Sequence, residues 1–182
     1  MISTEHRCIF VHIPKTAGTS IEKKLGHFEQ LEWGVQDHRT LRELEPPSVS
    51  SLRGLVPGRD PFLLKQIKHR AGGRPVPTRE QFRDFYKFSF VRNPWARVHS
   101  WYRNVMRDET HQRELGVQAG CSLEDFLVRH PDQWALRPQT WWLKDARGRI
   151  ALDFVGRFES LREDFQTVAQ RLALPDPDLP HL

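Results

Sequence analysis

The run Cys8-Ile9-Phe10-Val11-His12-Ile13 is mostly apolar, rich in β-branched residues, and stops at Pro14. A short apolar run bounded by a turn former reads as a buried strand. Pro14-Lys15-Thr16-Ala17-Gly18-Thr19-Ser20 follows at once as a loop of small residues, and Ile21 and Leu25 then fall at helical spacing. A helix is therefore expected to begin near Thr19. This strand–loop–helix order constrains the chain more than any other feature. A buried strand must be covered, and strands alternating with helices form a mainly parallel sheet between helical layers.

The rest of the chain repeats that alternation. Phe85 to Val91 is aromatic and β-branched, a second strand, and it stops at Arg92-Asn93-Pro94. Asn is a favoured N-cap and Pro a favoured first helical residue, so a helix is expected from there to about Asp108. Ile150 to Phe158 reads as a third strand. The last helix opens on a capping box, Ser160 to Glu163, and carries the stripe Leu161, Phe165, Val168 and Leu172. Shorter helices are expected over His38–Leu44 and Ser122–His130, and an extended piece over Glu32–Asp37. Trp141 and Trp142 read as packed. The stretch 46–78, rich in Pro, Gly and Arg with one apolar patch at Phe62 to Ile67, reads as a long irregular insertion.

At 182 residues the chain suits one domain, taken as 1–182. Six Trp and eleven Phe argue against disorder. Cys8 and Cys121 are too few for a disulfide framework and read as free thiols in a reducing compartment. No apolar run approaches the roughly 18–20 residues of a membrane span, and Met1 to Arg7 lacks a signal-peptide apolar region. The expectation is a soluble, cytoplasmic protein that binds neither membrane nor nucleic acid; the oligomeric state is left open. The net charge of +5 is concentrated: between Arg59 and Arg107 twelve Lys/Arg face only Asp60, Glu80 and Asp84. Such a field attracts an anionic ligand.

A small-residue loop between strand and helix is a place for an anion, because backbone N–H groups point into it. Lys15 adds an ammonium, Thr16, Thr19 and Ser20 add hydroxyls, and Gly18 allows close backbone approach. The order differs from GxxxxGK[ST], where the Lys follows the second Gly and precedes the Mg²⁺-binding hydroxyl. No strand ends in an evident Asp for a Walker B carboxylate. Both points weigh against a kinase or NTPase, which stays as an alternative beside a non-catalytic nucleotide or polyanion binder. Arg92 marks a second anion site at a strand's carboxyl end, where ligands bind in open α/β sheets. Its fork can grip a phosphate, and Ser100, two turns into the next helix and on one face with Arg97, can add a hydroxyl.

Taken together, these segments resemble a known family. His12-Ile13-Pro14-Lys15-Thr16-Ala17-Gly18-Thr19-Ser20 resembles the 5′-phosphosulfate loop of sulfotransferases, and Phe90 to Tyr102 resembles their 3′-phosphate motif. Val155 to Leu161 is similar to their late strand-and-helix segment. The likeness is to the carbohydrate sulfotransferase-like branch, which includes bacterial members and heparan 2-O-sulfotransferases. It implies a P-loop-like three-layer α/β fold and 3′-phosphoadenosine 5′-phosphosulfate (PAPS) as co-substrate. By the same likeness, Pro14, Lys15, Thr16, Ala17, Gly18, Thr19 and Ser20 would hold the 5′-phosphosulfate. Arg92 and Ser100 would hold the 3′-phosphate, and Arg157 would be a further nucleotide contact.

The acceptor implied is a hydroxyl or amine group, on a carbohydrate by resemblance alone. Asp37 to Leu44 is similar to the family segment that carries a catalytic His, so His38 is the expected base and Lys15 the catalytic cation. An ordinary His near pKa 6.5 suits base work at neutral pH. His12 reads as a packed strand residue and His99 as structural; Glu22 and Asp37 are weaker base candidates. Sulfuryl groups carry less charge than phosphoryl groups, so no metal is expected. Members of the family commonly continue beyond the last helix, so the end at Leu182 reads as a short member or a truncation.

Overall fold

A computed structural model describes residues 1–27, 36–47 and 62–180. Its frame is a sheet of four strands in the order β1 (Ile2–Ser3), β2 (Cys8–Val11), β3 (Tyr86–Val91) and β4 (Phe154–Arg157). β1 runs antiparallel at the edge; β2, β3 and β4 are parallel, with Val11 beside Ser89 and Val91 beside Arg157. The expected mainly parallel α/β sheet is present.

Side-chain alternation along β2 divides the core. Cys8 and Phe10 face one layer, with Phe88, Phe90, Ile21, Leu25, Phe165 and Val168. Ile21 comes from α1 (Gly18–Lys24) and Leu25 is its C-cap, while Phe165 and Val168 come from α9 (Leu161–Arg171). Ile9 and Val11 face the other layer, with Leu41 and Leu44 of α2 (Leu41–Leu44) and Trp142 and Leu143 of α8 (Gln139–Leu143). Because both faces are covered, all four β2 residues are fully buried, as a strand inside a parallel sheet must be. A third cluster, of Trp101, Val105, Val117, Phe126 and Ala135, joins α5 (Pro94–Arg107) to α6 (Glu109–Leu115) and α7 (Leu123–Arg129).

Several local expectations change. The stretch 46–78 is not irregular throughout. It contains α3 (Phe62–Ala71), which is tied to α2 where the Gln66 amide donates to the carbonyls of Arg42 and Glu45 at 2.5 Å each. The amide satisfies carbonyls that the short α2 leaves without helical partners. Thr78 then caps α4 (Arg79–Asp84) with a capping box to Gln81. Residues 48–61 of the stretch, and most of Glu32–Asp37, lie outside the described residues. His38 to Thr40 is an extended lead-in rather than the first turn of a helix; Thr40 and Glu43 form the capping box that starts α2. The third strand is only Phe154–Arg157, and the capping box at Ser160 is absent. A 3₁₀ turn over Phe158–Ser160 leads straight into α9, and the Asp164 carboxylate turns back to accept the Arg157 N–H at 2.6 Å.

Candidate active site

The loop after β2 is held by its own atoms. The Thr16 hydroxyl donates to the Ile13 carbonyl at 2.9 Å and is buried, so Thr16 shapes the turn instead of facing outward. Lys15 and Ala17 both adopt left-handed backbone, each with φ near 67°. This conformation is costly for non-glycine residues and persists where surrounding contacts over-determine it. Backbone turned this way gathers N–H groups into a concave face suited to an anion. Gly18 is required by its neighbour: a Cβ there would stand 1.9 Å from Cδ2 of the His12 ring.

Arg92 meets this loop from β3. Its backbone N–H and carbonyl are both paired with the Gln139 side chain, at 2.8 and 2.7 Å. Its guanidinium lies 3.9 Å above the Phe158 ring and donates through Nη1 to the Lys15 carbonyl at 3.2 Å. The Lys15 ammonium in turn donates to Asn104 Oδ1 of α5 at 2.9 Å. Burial pushes the Lys15 pKa down, and the positive charges of Arg92 and Arg107 push it further. Burial also lowers the Arg92 pKa, and its buried Nε has no hydrogen-bond partner among the described residues. Along the cavity here and the cleft beside it, Lys15, Arg92, Arg103 and Arg107 outnumber the one lining carboxylate among the described residues, Asp108, and this excess of positive charge suits a multiply charged anion.

His38 closes the other side. Its Nδ1 lies 3.3 Å from the His12 carbonyl oxygen and its Nε2 lies 2.8 Å from Gln36 Oε1. Burial, and then His12, push its pKa down to about 4, so the ring is neutral near pH 7. A neutral ring has one N–H for two acceptor oxygens. Gln36 Nε2 donates to the Thr19 hydroxyl at 2.6 Å, which sets Gln36 Oε1 against His38 Nε2. The tautomer with its proton on Nδ1, bonded to the His12 carbonyl, is the one that gives Nε2 the lone pair a base needs, and it requires the Gln36 amide to turn end for end.

These groups share one cavity of about 620 Å³, lined by Pro14, Lys15, Ala17, Gly18, Thr19, Ser20, His38, Arg92 and Ser100. An adjoining cleft of about 310 Å³ continues along α5 past Arg103 and Arg107. Of the residues expected at the site, two stand apart. Thr16 points inward, and Arg157 is exposed at the end of β4, outside the cavity wall. Arg97, expected on one face with Ser100, is buried instead and donates to the Arg137 carbonyl at 2.7 Å. Sequence reasoning missed Gln36, Asn104, Trp134 and Phe158, which also line the cavity. Asn104 had a signal: it follows Ser100 by four residues on one helical face. Trp134, 43% exposed and 5.5 Å from the His38 ring, had none.

The sequence profile described as "Sulfotransferase family" matches residues 1–181. The chain belongs to the sulfotransferase family. Among curated proteins, this sulfotransferase-family chain is 24% identical over 202 residues to "Carbohydrate sulfotransferase 14" of Danio rerio, a match covering 96% of the chain and 48% of that protein. The chain thus spans about half the length of that relative. It is also 26% identical over 110 residues to an uncharacterised protein of Archaeoglobus fulgidus, covering 60% of the chain and 81% of the relative. No solved structure matches it significantly. Among the described residues no helix is long and apolar enough to cross a membrane.

Proposed function

We propose that this domain transfers a sulfuryl group from PAPS to a hydroxyl group of a carbohydrate, with His38 as base and Lys15 as catalytic cation. The observation that carries this reading is the 3.2 Å contact between Arg92 Nη1 and the Lys15 carbonyl. It joins two anion-binding segments, far apart in sequence, into one wall of one cavity. The relative named for carbohydrate sulfation supports the acceptor class.

The residues present fit the co-substrate. The left-handed turns at Lys15 and Ala17, the Thr19 and Ser20 hydroxyls and the Lys15 ammonium suit the 5′ end; Arg92 and Ser100 suit the 3′-phosphate. When bound, PAPS supplies a sulfuryl group attached to a phosphate leaving group. Lys15 then stabilises charge on the departing phosphate oxygen. His38 Nε2 accepts the proton of the attacking hydroxyl once that hydroxyl displaces the Gln36 amide. Arg92, fixed through Gln139 and Phe158, orients the nucleotide, so much of the catalysis is positioning.

The test combines two measurements. Calorimetric titration should show adenosine 3′,5′-bisphosphate binding well ahead of AMP and ATP. Radiolabelled sulfate from PAPS should appear on a carbohydrate acceptor with wild-type protein, and turnover should fall in His38→Ala with bisphosphate affinity retained. Preference for ATP would overturn the co-substrate, and unchanged turnover in His38→Ala would move the base elsewhere.

A further inference from the structure

His12 is not used by that mechanism, yet its position is unusual for a packed strand residue. The side chain is almost fully buried and still lines the main cavity. Its ring lies against the loop: Nε2 is 2.0 Å from where a Cβ on Gly18 would stand. Its other edge faces a carboxyl group, with Nδ1 3.0 Å from Glu22 Oε1. The His38 ring packs 4.1 Å away, centroid to centroid. Among the described residues no hydrogen-bond partner is aligned with His12 Nδ1 or Glu22 Oε2, although both atoms are buried.

We infer that His12 is a direct ligand of the co-substrate, its Nε2–H donating to an oxygen of the 5′-phosphosulfate held by the loop. The inference rests on the proposed function for the identity of that anion. The proton must sit on Nε2, since a bare ring nitrogen would repel an anion. Glu22 supplies the reason. It is fully buried, Oε1 already accepts the Asp37 N–H at 3.0 Å, and Oε2 has no partner among the described residues. An ionised carboxylate so placed is costly, and burial raises the Glu22 pKa. For His12 to act in this way, Glu22 must hold its proton and present it to Nδ1 across the 3.0 Å gap between them, which leaves the ring's own proton on Nε2. Burial likewise keeps the ring itself uncharged, its pKa lowered to about 3. A neutral donor adds a hydrogen bond to the loop without adding to the repulsion among Lys15, Arg92 and Arg107.

Side-chain ¹⁵N NMR of the whole chain tests this. His12 should show a protonated Nε2, and its signal should shift on adding adenosine 3′,5′-bisphosphate or inorganic pyrophosphate, but not adenosine 3′-monophosphate. His12→Asn, which keeps a group only at the Nδ1 position, should weaken bisphosphate binding about tenfold; His12→Gln, which restores an N–H near Nε2, should recover most of it. A protonated Nδ1, or a silent His12 while the bisphosphate binds, overturns the inference and leaves the proposed function standing. A His12 that responds to pyrophosphate when the bisphosphate does not bind supports the His12 assignment and overturns the proposed co-substrate.

Discussion

The ammonium of Lys15 donates to Asn104 Oδ1 at 2.9 Å, linking the loop after β2 to the third turn of α5 across 89 positions of sequence. The bond aims a side chain that has four rotatable bonds and, beyond Asn104, mainly positive neighbours. Asn104→Ala should leave the ammonium poorly directed. A lost hydrogen bond to a charged group is worth about 1.5 kcal/mol, so single-turnover transfer should slow by about tenfold. Bisphosphate affinity should change little.

Lys15→Ala removes the only ammonium among the described residues that line the main cavity. Loss of one charge-stabilising donor typically slows chemistry on the order of 10² to 10³-fold. Transfer should fall to background in a radiolabel assay. Lys15→Arg should restore little, because a planar fork does not replace a point charge.

Arg92→Ala should act on binding more than on chemistry. Removing a charged hydrogen-bonding group costs about 2 kcal/mol, equivalent to an increase on the order of 30-fold in the KM for PAPS. Equal donor affinity in this variant would contradict the role given to Arg92.

His38 and His12 set the acid response. Burial holds the His38 pKa at about 4 and the His12 pKa at about 3. The unfolded chain takes up protons on both rings below about pH 6.5, and the native chain does not until those lower values. The unfolded state therefore binds more protons through this window, and stability falls as pH falls. Thermal melts should show Tm dropping between pH 6.5 and 4, with a shallower slope in His38→Gln. The acid limb of kcat should lie near pH 4, and a limb near 6.5 would count against His38 as the buried base.

Gly18→Ala places a methyl group 1.9 Å from the His12 ring. Overpacking of this kind costs about 1–3 kcal/mol, which for a chain of this size lowers Tm by about 2–12 °C. Calorimetry should show the loss of stability together with weakened bisphosphate binding, since the loop or the ring must move.

The local pattern of residues by itself determined the parallel α/β frame and singled out the two segments at the ends of β2 and β3 that the proposed function uses; the choice of His38 rests on the family resemblance alone. Apolar runs and caps are local signals: Cys8 to Ile13 buries because it is apolar, and Asn93-Pro94 starts α5 because Asn caps and Pro cannot break a first turn. Tertiary structure alone decided what those segments face. It turned Thr16 inward, kept Arg157 on the surface, buried Arg97, and brought Gln36, Asn104, Trp134 and Phe158 to the cavity. It also showed that the His12 ring, which sequence places simply inside a strand, fills the space beside Gly18. Contacts between residues distant in sequence depend on how helices cross the sheet, and hydrophobic spacing reports which face is buried without naming the partner it meets.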